Sequence, residues 1–314
     1  MLMQIFYFLL LVALFILLGK SADFLIDGSR ALGAKLKIKT IHLGFILGIL
    51  TTTPELFIGI NTVLEDVQAI SFGNLAGGII ILLGFIMGLN IVLRKNIEIA
   101  DGVEPPFLLF VAFFLIMPLI FILDGKINFL EGAILILTYI AIVIYWFKRR
   151  SGGRNTKIQK DSKTQWAVVY FIIGIIGIVF LSRFIVDVTL ALLEGLRISK
   201  LMIGVIVFSI GTNLPEIIVV FESWRKKIKT LALGNLIGSA MANILVIGTL
   251  AVFSPINIVI NESFIVFFIT FIVVVGLFVF FSYTKKKLQL WEGATLILIY
   301  LFFVLFEFLL IGVV

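Results

Sequence analysis

The chain has 314 residues, 61% hydrophobic and only 14% charged, with a mean hydropathy of +1.24. Apolar runs able to cross ~30 Å of hydrocarbon recur along its whole length, which leaves no room for a water-soluble catalytic domain. The absence of cysteine excludes disulfides, thiolate metal sites and cysteine nucleophiles, and the net charge of +7 is interleaved with apolar runs, giving no continuous face for nucleic acid.

Hydropathy predicts an all-α polytopic membrane protein of ten spans, at 2–18, 41–64, 69–93, 106–123, 129–146, 166–192, 201–223, 230–253, 256–281 and 291–313. The first lacks a basic leader and a clear small-residue cleavage signal, so it is expected to stay as a helix rather than be removed as a signal peptide. Basic residues test the count. The connections after spans one, three, five, seven and nine hold Lys20, Arg30, Lys35, Lys37, Lys39; Arg94, Lys95; Lys148, Arg149, Arg150, Arg154, Lys157, Lys160, Lys163; Arg225, Lys226, Lys227, Lys229; and Lys285, Lys286, Lys287. The opposite side has Lys126, Arg197 and Lys200. This asymmetry predicts a multi-pass cell-membrane protein with those five connections in the cytoplasm and both termini outside. Residues 148–165, polar and basic around Ser151, Gly152 and Gly153, read as a cytoplasmic linker between a unit at 1–147 and a second at 166–314.

The two units repeat. Adding 161 carries Pro54-Glu55 onto Pro215-Glu216, Gly73-Asn74-Leu75 onto Gly234-Asn235-Leu236, Gly77 onto Gly238, Glu131-Gly132-Ala133 onto Glu292-Gly293-Ala294, and Tyr139 onto Tyr300. Upstream, Phe24 to Asp27 matches Phe184 to Asp187 at an offset of 160, so one residue is gained or lost in between. Five spans per unit is an odd number, so the second copy enters the membrane from the opposite side and the repeats are inverted. That is the pattern of secondary transporters, in which two similar halves enclose a site reached from either face in turn.

Spans two and seven are interrupted by Thr51-Thr52-Thr53-Pro54-Glu55 and by Thr212-Asn213-Leu214-Pro215-Glu216. Proline lacks an N–H and disfavours helical geometry in the residue before it, which predicts a break or kink in each span. Irregular backbone at bilayer depth is tolerated where it lines a cavity or lies buried in protein, and its freed carbonyls suit cations. An ionised glutamate there costs at least ~2.5 kcal/mol if unpaired. No lysine or arginine recurs at symmetric positions, so a bound cation or proton is the expected partner of Glu55 and Glu216; the plainer reading is a protonated glutamate bonded to a neighbouring helix. Gly73-Asn74-Leu75-Ala76-Gly77-Gly78 and Gly234-Asn235-Leu236-Ile237-Gly238-Ser239, with Asn243 following, read either as small-residue packing or as the other wall of one site. Oxygen ligands without sulfur favour hard cations such as Ca²⁺ and Na⁺. His42 has no counterpart and is expected at a helix end. Glu307 is an unmatched proton or packing site, and Asp27 and Asp187 are capping or gate candidates near the ends of their spans.

This pattern resembles the calcium/cation antiporter superfamily, and within it the prokaryotic sodium/calcium exchangers, over essentially the whole chain. The resemblance implies that spans two, three, seven and eight enclose the ions while spans one and six slide to alternate access. It maps the central carboxylates onto Glu55 and Glu216, a hydroxyl pair onto Thr51-Thr52 and Thr212-Asn213, ligating carbonyls onto Gly48 and Ser209, and a serine onto Ser239. Four positions depart from it: Gly78 replaces the first repeat's serine, Leu82 an asparagine ligand, Asn243 an aspartate, and Leu50 a glycine. With two carboxylates left, a third sodium would be uncompensated, so a changed stoichiometry is expected.

The expected activity is therefore exchange of Ca²⁺ for Na⁺, with inorganic cations and the lipid bilayer as partners and no cofactor. The alternatives are a cation/proton exchanger using the same glutamates, a cation channel, or a transport-inactive homologue. One histidine, no cysteine and no His-Glu-x-x-His leave no equipment for intramembrane hydrolysis.

Overall fold

The computed structural model describes residues 2–35, 40–99, 105–148, 166–193, 200–225, 229–284 and 287–313. Most of the linker at 148–165 lies outside these, as do Lys37, Lys39, Arg197, Lys226, Lys227, Lys285 and Lys286. Within the described residues ten helical stretches are long and apolar enough to cross a membrane. Helix is the form such runs must take, because in hydrocarbon a segment has to satisfy its own backbone hydrogen bonds.

In chain order these are α1 (Leu2–Lys35), α2 (Thr40–Thr51) with α3 (Thr53–Leu64), and α4 (Gln68–Ile80) running through a π-helical turn (Ile81–Ile86) into α5 (Met87–Arg94). After β1 (Asn96–Glu98) come α6 (Pro105–Phe121), a 3₁₀ turn (Ile122–Asp124), β2 (Lys126–Ile127), α7 (Phe129–Lys148) and α8 (Ala167–Leu193). The seventh span is α9 (Lys200–Ile203), a π-helical turn (Gly204–Phe208), α10 (Ser209–Thr212) and α11 (Leu214–Arg225). It is followed by α12 (Lys229–Phe253), β3 (Ile256–Asn257), α13 (Glu262–Tyr283), β4 (Lys287–Gln289) and α14 (Leu290–Val313).

Two predicted boundaries change. The first span was expected to stop at residue 18, but α1 continues to Lys35. Hydropathy ends there while helix does not, since Ala, Lys and Leu in the extension are good helix formers and no proline interrupts it. Asp27 therefore lies inside a helix, as Asp187 does in α8, and neither can be a cap. The ninth span begins at Glu262 rather than 256, with the Asn261 side chain accepting from the Phe264 N–H at 2.9 Å as an N-cap. The all-helical expectation also gains two antiparallel ribbons, β1 with β4 (Asn96 opposite Gln289) and β2 with β3 (Lys126 opposite Asn257).

The span containing α4 and α5 has 83% of its residues buried and that of α12 has 78%, against 22% for α1 and 24% for α8, so the former are the core and the latter the flank. Close approach is set by glycine. A Cβ at Gly48 of α2 would lie 2.5 Å from both the Asn235 O and the Ser239 N of α12, and one at Gly204 would lie 2.7 Å from the Asn74 N of α4. The second span thus sits on the eighth and the seventh on the third, backbone against backbone.

Candidate functional site

At the interruption in the second span, α2 ends at Thr51 and α3 starts at Thr53. The backbone is kinked rather than severed: Thr52 N–H still donates to Gly48 O at 3.3 Å and Leu56 N–H to Thr52 O at 3.2 Å. Pro54 supplies no N–H to Leu50 O, which instead accepts from Thr53 Oγ1 at 2.7 Å. The seventh span kinks likewise at Asn213, where Ile217 N–H reaches Asn213 O at 3.3 Å. Each kink puts a glutamate, Glu55 or Glu216, in the first turn of the half-helix that follows, where the helix dipole favours negative charge.

Both carboxylates are buried, Glu55 at 1% exposure and Glu216 at 0%. Their partners come crosswise from the two halves. Ser239 Oγ of α12 donates to Glu216 Oε1 at 3.1 Å and lies 3.1 Å from Thr51 Oγ1. The Thr51 hydroxyl lies beside Glu216 and the Thr212 hydroxyl beside Glu55, and Thr212 Oγ1 donates to Asn74 Oδ1 at 3.1 Å. Gly48 O collects Thr51 Oγ1 at 3.0 Å, Thr52 Oγ1 at 2.8 Å and Ser239 Oγ at 3.2 Å. Ser209 O accepts from Asn213 Nδ2 at 2.7 Å, and the Ser209 hydroxyl bonds Val205 O.

One oxygen of each carboxylate, Glu55 Oε2 and Glu216 Oε2, has no hydrogen-bond partner, nor does Asn74 Nδ2 or either polar atom of the Asn235 side chain. Neither glutamate belongs to an ion pair among the described residues. Unsatisfied polar atoms in a water-excluded interior are costly, and five of them gather here.

The structure brings Gly48, Thr51, Thr52, Glu55, Ser209, Thr212, Asn213, Glu216 and Ser239 to one locus. Asn243 stands at its edge, its Nδ2 donating to Leu75 O at 3.0 Å and occupying the room that Gly78 leaves, since a Cβ at Gly78 would be 2.7 Å from that nitrogen. Asn74 and Asn235, whose repeated motif reads in the sequence either as small-residue packing or as the other wall of one site, are fully buried here with open polar atoms, and the repeat was the signal that pointed to them. His42 lies at the start of α2 with its ring edge-on to Trp146, 4.8 Å between centroids, in keeping with a helix-end role. Glu307 is buried on α14, outside the four spans that supply the locus.

A sequence model of one family, described as sodium/calcium exchanger protein, matches residues 6–148 and 166–309. The chain belongs to the sodium/calcium exchanger family. As a member of that family it is a cation antiporter and not an enzyme. Among its relatives this exchanger is 25% identical over 291 residues to an uncharacterized membrane protein of Methanocaldococcus jannaschii, covering 91% of this chain and 93% of that one. It is 25% identical to the putative antiporter CaxA of Alkalimonas amylolytica, over 79% of this chain and 82% of the relative. The solved structure of the sodium-calcium exchanger NCX_Mj, soaked with Na⁺ and Sr²⁺, matches with a TM-score of 0.68 over 96% of this chain and 97% of the other, at 24% identity, a likeness of fold.

Proposed function

We propose that this antiporter exchanges Ca²⁺ for Na⁺ by alternating access, with Glu55 and Glu216 as the shared ligands that make the two ions bind in turn. The observation that carries the reading is the pair of buried carboxylates, each with one open oxygen and no cationic side chain, ringed by hydroxyl, amide and carbonyl oxygens. Such a donor set suits a hard cation. Thr51, Thr52, Thr212, Asn213, Ser239 and Asn243, with the carbonyls of Gly48 and Ser209, complete the proposed ligand set, and Asn74 and Asn235 join it.

Two inverted repeats, 1–147 and 166–314, joined by a cytoplasmic linker at 148–165, are part of the same proposal, as is a cell-membrane location with both termini outside. Its support is the crosswise packing. Gly44 lies against Leu231, Gly234 and Asn235, whereas Gly204 lies against Ile70, Gly73 and Asn74, the same residues less 161. Likewise Gly88 meets Gly293 and Ile297 while Gly248 meets Gly132 and Ile136.

Two carboxylates balance one Ca²⁺, two Na⁺ or two H⁺, and a third sodium would bring an uncompensated charge into low dielectric. The exchange is therefore proposed to be electroneutral. The test is ⁴⁵Ca²⁺ uptake into proteoliposomes loaded with Na⁺, beside vesicles carrying only a pH gradient. Sodium-driven uptake without current supports the proposal, and loss of that uptake in Glu216→Gln with insertion intact assigns it to this locus. Uptake driven by the pH gradient alone would instead make the two glutamates proton carriers.

A further inference from the structure

α1 and α8 pack on each other, with Ser21 against Gly177, and their Leu11, Phe15, Leu18, Ile178, Ile185 and Val186 share an apolar cluster, separate from the main core, with Ile58 of α3, Ile70 of α4 and Phe208 of the seventh span. Toward the seventh span the Phe15 ring covers Gly211, and Gly19 rests on Leu214. Toward α3, α8 makes polar contacts. Asn61 Nδ2 donates to Ser182 Oγ at 3.1 Å, and Arg183 Nη2 meets Glu65 Oε1 at 2.5 Å.

Glu65 is held firmly. It caps α3 in a tight C-terminal turn in which Val67 N–H donates to Thr62 O at 2.8 Å and Asp66 N–H to Val63 O at 3.2 Å. Arg183 has a second carboxylate on its own helix, Asp187, with Oδ1 3.4 Å from Nε. A guanidinium that lets go of Glu65 thus keeps a partner one turn away and is never left uncompensated within the span. That makes the contact reversible, where a lone pair would be costly to part. At the positions that correspond by offset, 160 for Arg183 and 161 for Glu65, the sequence has Asp23 and Lys226, residues of the opposite charge in each place.

We propose that the Glu65–Arg183 ion pair, seconded by Asn61 and Ser182, is a latch that holds α8 on α3 and sets how often that face of the cation site opens. The inference rests on the alternating-access reading above. A displacement of α8 along α3 has to part both of these polar contacts. Removing the latch shifts the population toward the form open on the Glu65 face, so the two faces change in opposite senses.

The test uses the full chain in lipid vesicles, comparing Glu65→Gln, Arg183→Gln and the double variant. Apparent Ca²⁺ affinity should rise on the Glu65 face and fall on the other, by up to about fivefold for a pair this exposed, and the double variant should do no more than either single. Amide hydrogen exchange over 57–66, read without added ions, should quicken in all three. Should Arg183→Gln not fold, Glu65→Gln reads the same pair from the other side. Equal affinity losses on both faces, additive singles, or unchanged hydrogen exchange would each overturn the latch. If the unaltered protein moves no Ca²⁺ under either gradient, the exchange reading fails, while hydrogen exchange still decides the latch.

Discussion

Replacing Gly48 by alanine tests whether the backbone contact between α2 and α12 builds the cation site. The added Cβ would sit 2.5 Å from Asn235 O and from Ser239 N, where 3.4 Å is ordinary contact, so one helix must retreat by 3.4 − 2.5 ≈ 0.9 Å. Both obstructing atoms are backbone and cannot rotate away. A retreat of that size along the line of contact stretches the bond from Ser239 Oγ to Gly48 O from 3.2 Å to about 4 Å, beyond hydrogen-bond reach, and loosens the one to Thr51. Overpacking of about 1–3 kcal/mol plus about 1 kcal/mol for the lost bond, less about 1 kcal/mol gained in helix propensity, leaves a net loss of about 1–3 kcal/mol. Thermal unfolding in detergent should show it, and sodium-driven ⁴⁵Ca²⁺ uptake should fall further than the folded fraction does. Gly276→Ala is the control: nothing lies within 4 Å of its Cβ, so stability should hold or rise. A Gly48→Ala protein that melts and transports like the parent would refute the reasoning.

Other expectations follow from neighbouring contacts. Glu292, buried on α14, accepts from Gln289 N–H at 2.6 Å and Thr284 Oγ1 at 2.8 Å, so Glu292→Ala should cost about 1–3 kcal/mol in a thermal melt while leaving transport per folded molecule unchanged. Asp66 holds a left-handed φ of 54° at the end of α3, where glycine is at ease, but its Oδ1 accepts from Gln68 Nε2 at 3.1 Å; the two effects offset, and Asp66→Gly should stay within about 1 kcal/mol of the parent in the same melt. Gly78→Ser would displace the Asn243 amide from Leu75 O and should depress uptake. Combined with Asn243→Asp it adds a third carboxylate, and a current with more sodium per calcium should appear; a silent, electroneutral double variant would count against charge balance as the determinant of stoichiometry.

Much of the locus could be read before any coordinates, because a proline followed by glutamate inside an apolar span is costly and therefore conspicuous. The repeat then supplied Asn74 and Asn235 as a pair. Other features escaped for physical reasons. Hydropathy finds where lipid stops rather than where helix stops, so the polar length of α1 was missed. β1 to β4 are two or three residues each, too short for an alternating pattern. Glu131 and Glu292 drew notice as a repeat, and their task is to close helix starts: Glu131 Oε2 accepts from Asn128 N–H at 2.8 Å, as Glu292 does from Gln289. The partner of Arg183 escaped as well, since nothing in a single sequence tells which distant carboxylate it will face.

The slip from an offset of 160 to 161 has a location. Gly44 corresponds to Gly204 at 160 and Gly48 to Ser209 at 161, so the extra residue falls within the π-helical turn Gly204–Phe208. A turn closed from i to i+5 holds one residue more than an α turn, and hydrogen bonding alone does not dictate which residue is the surplus one. The seventh span therefore carries one residue more, ahead of its kink, than the second does. The first half has a π-helical turn of its own one span later, at Ile81–Ile86, so the surplus sits in the span that bears Glu216 in one half and in the span that bears Asn74 in the other.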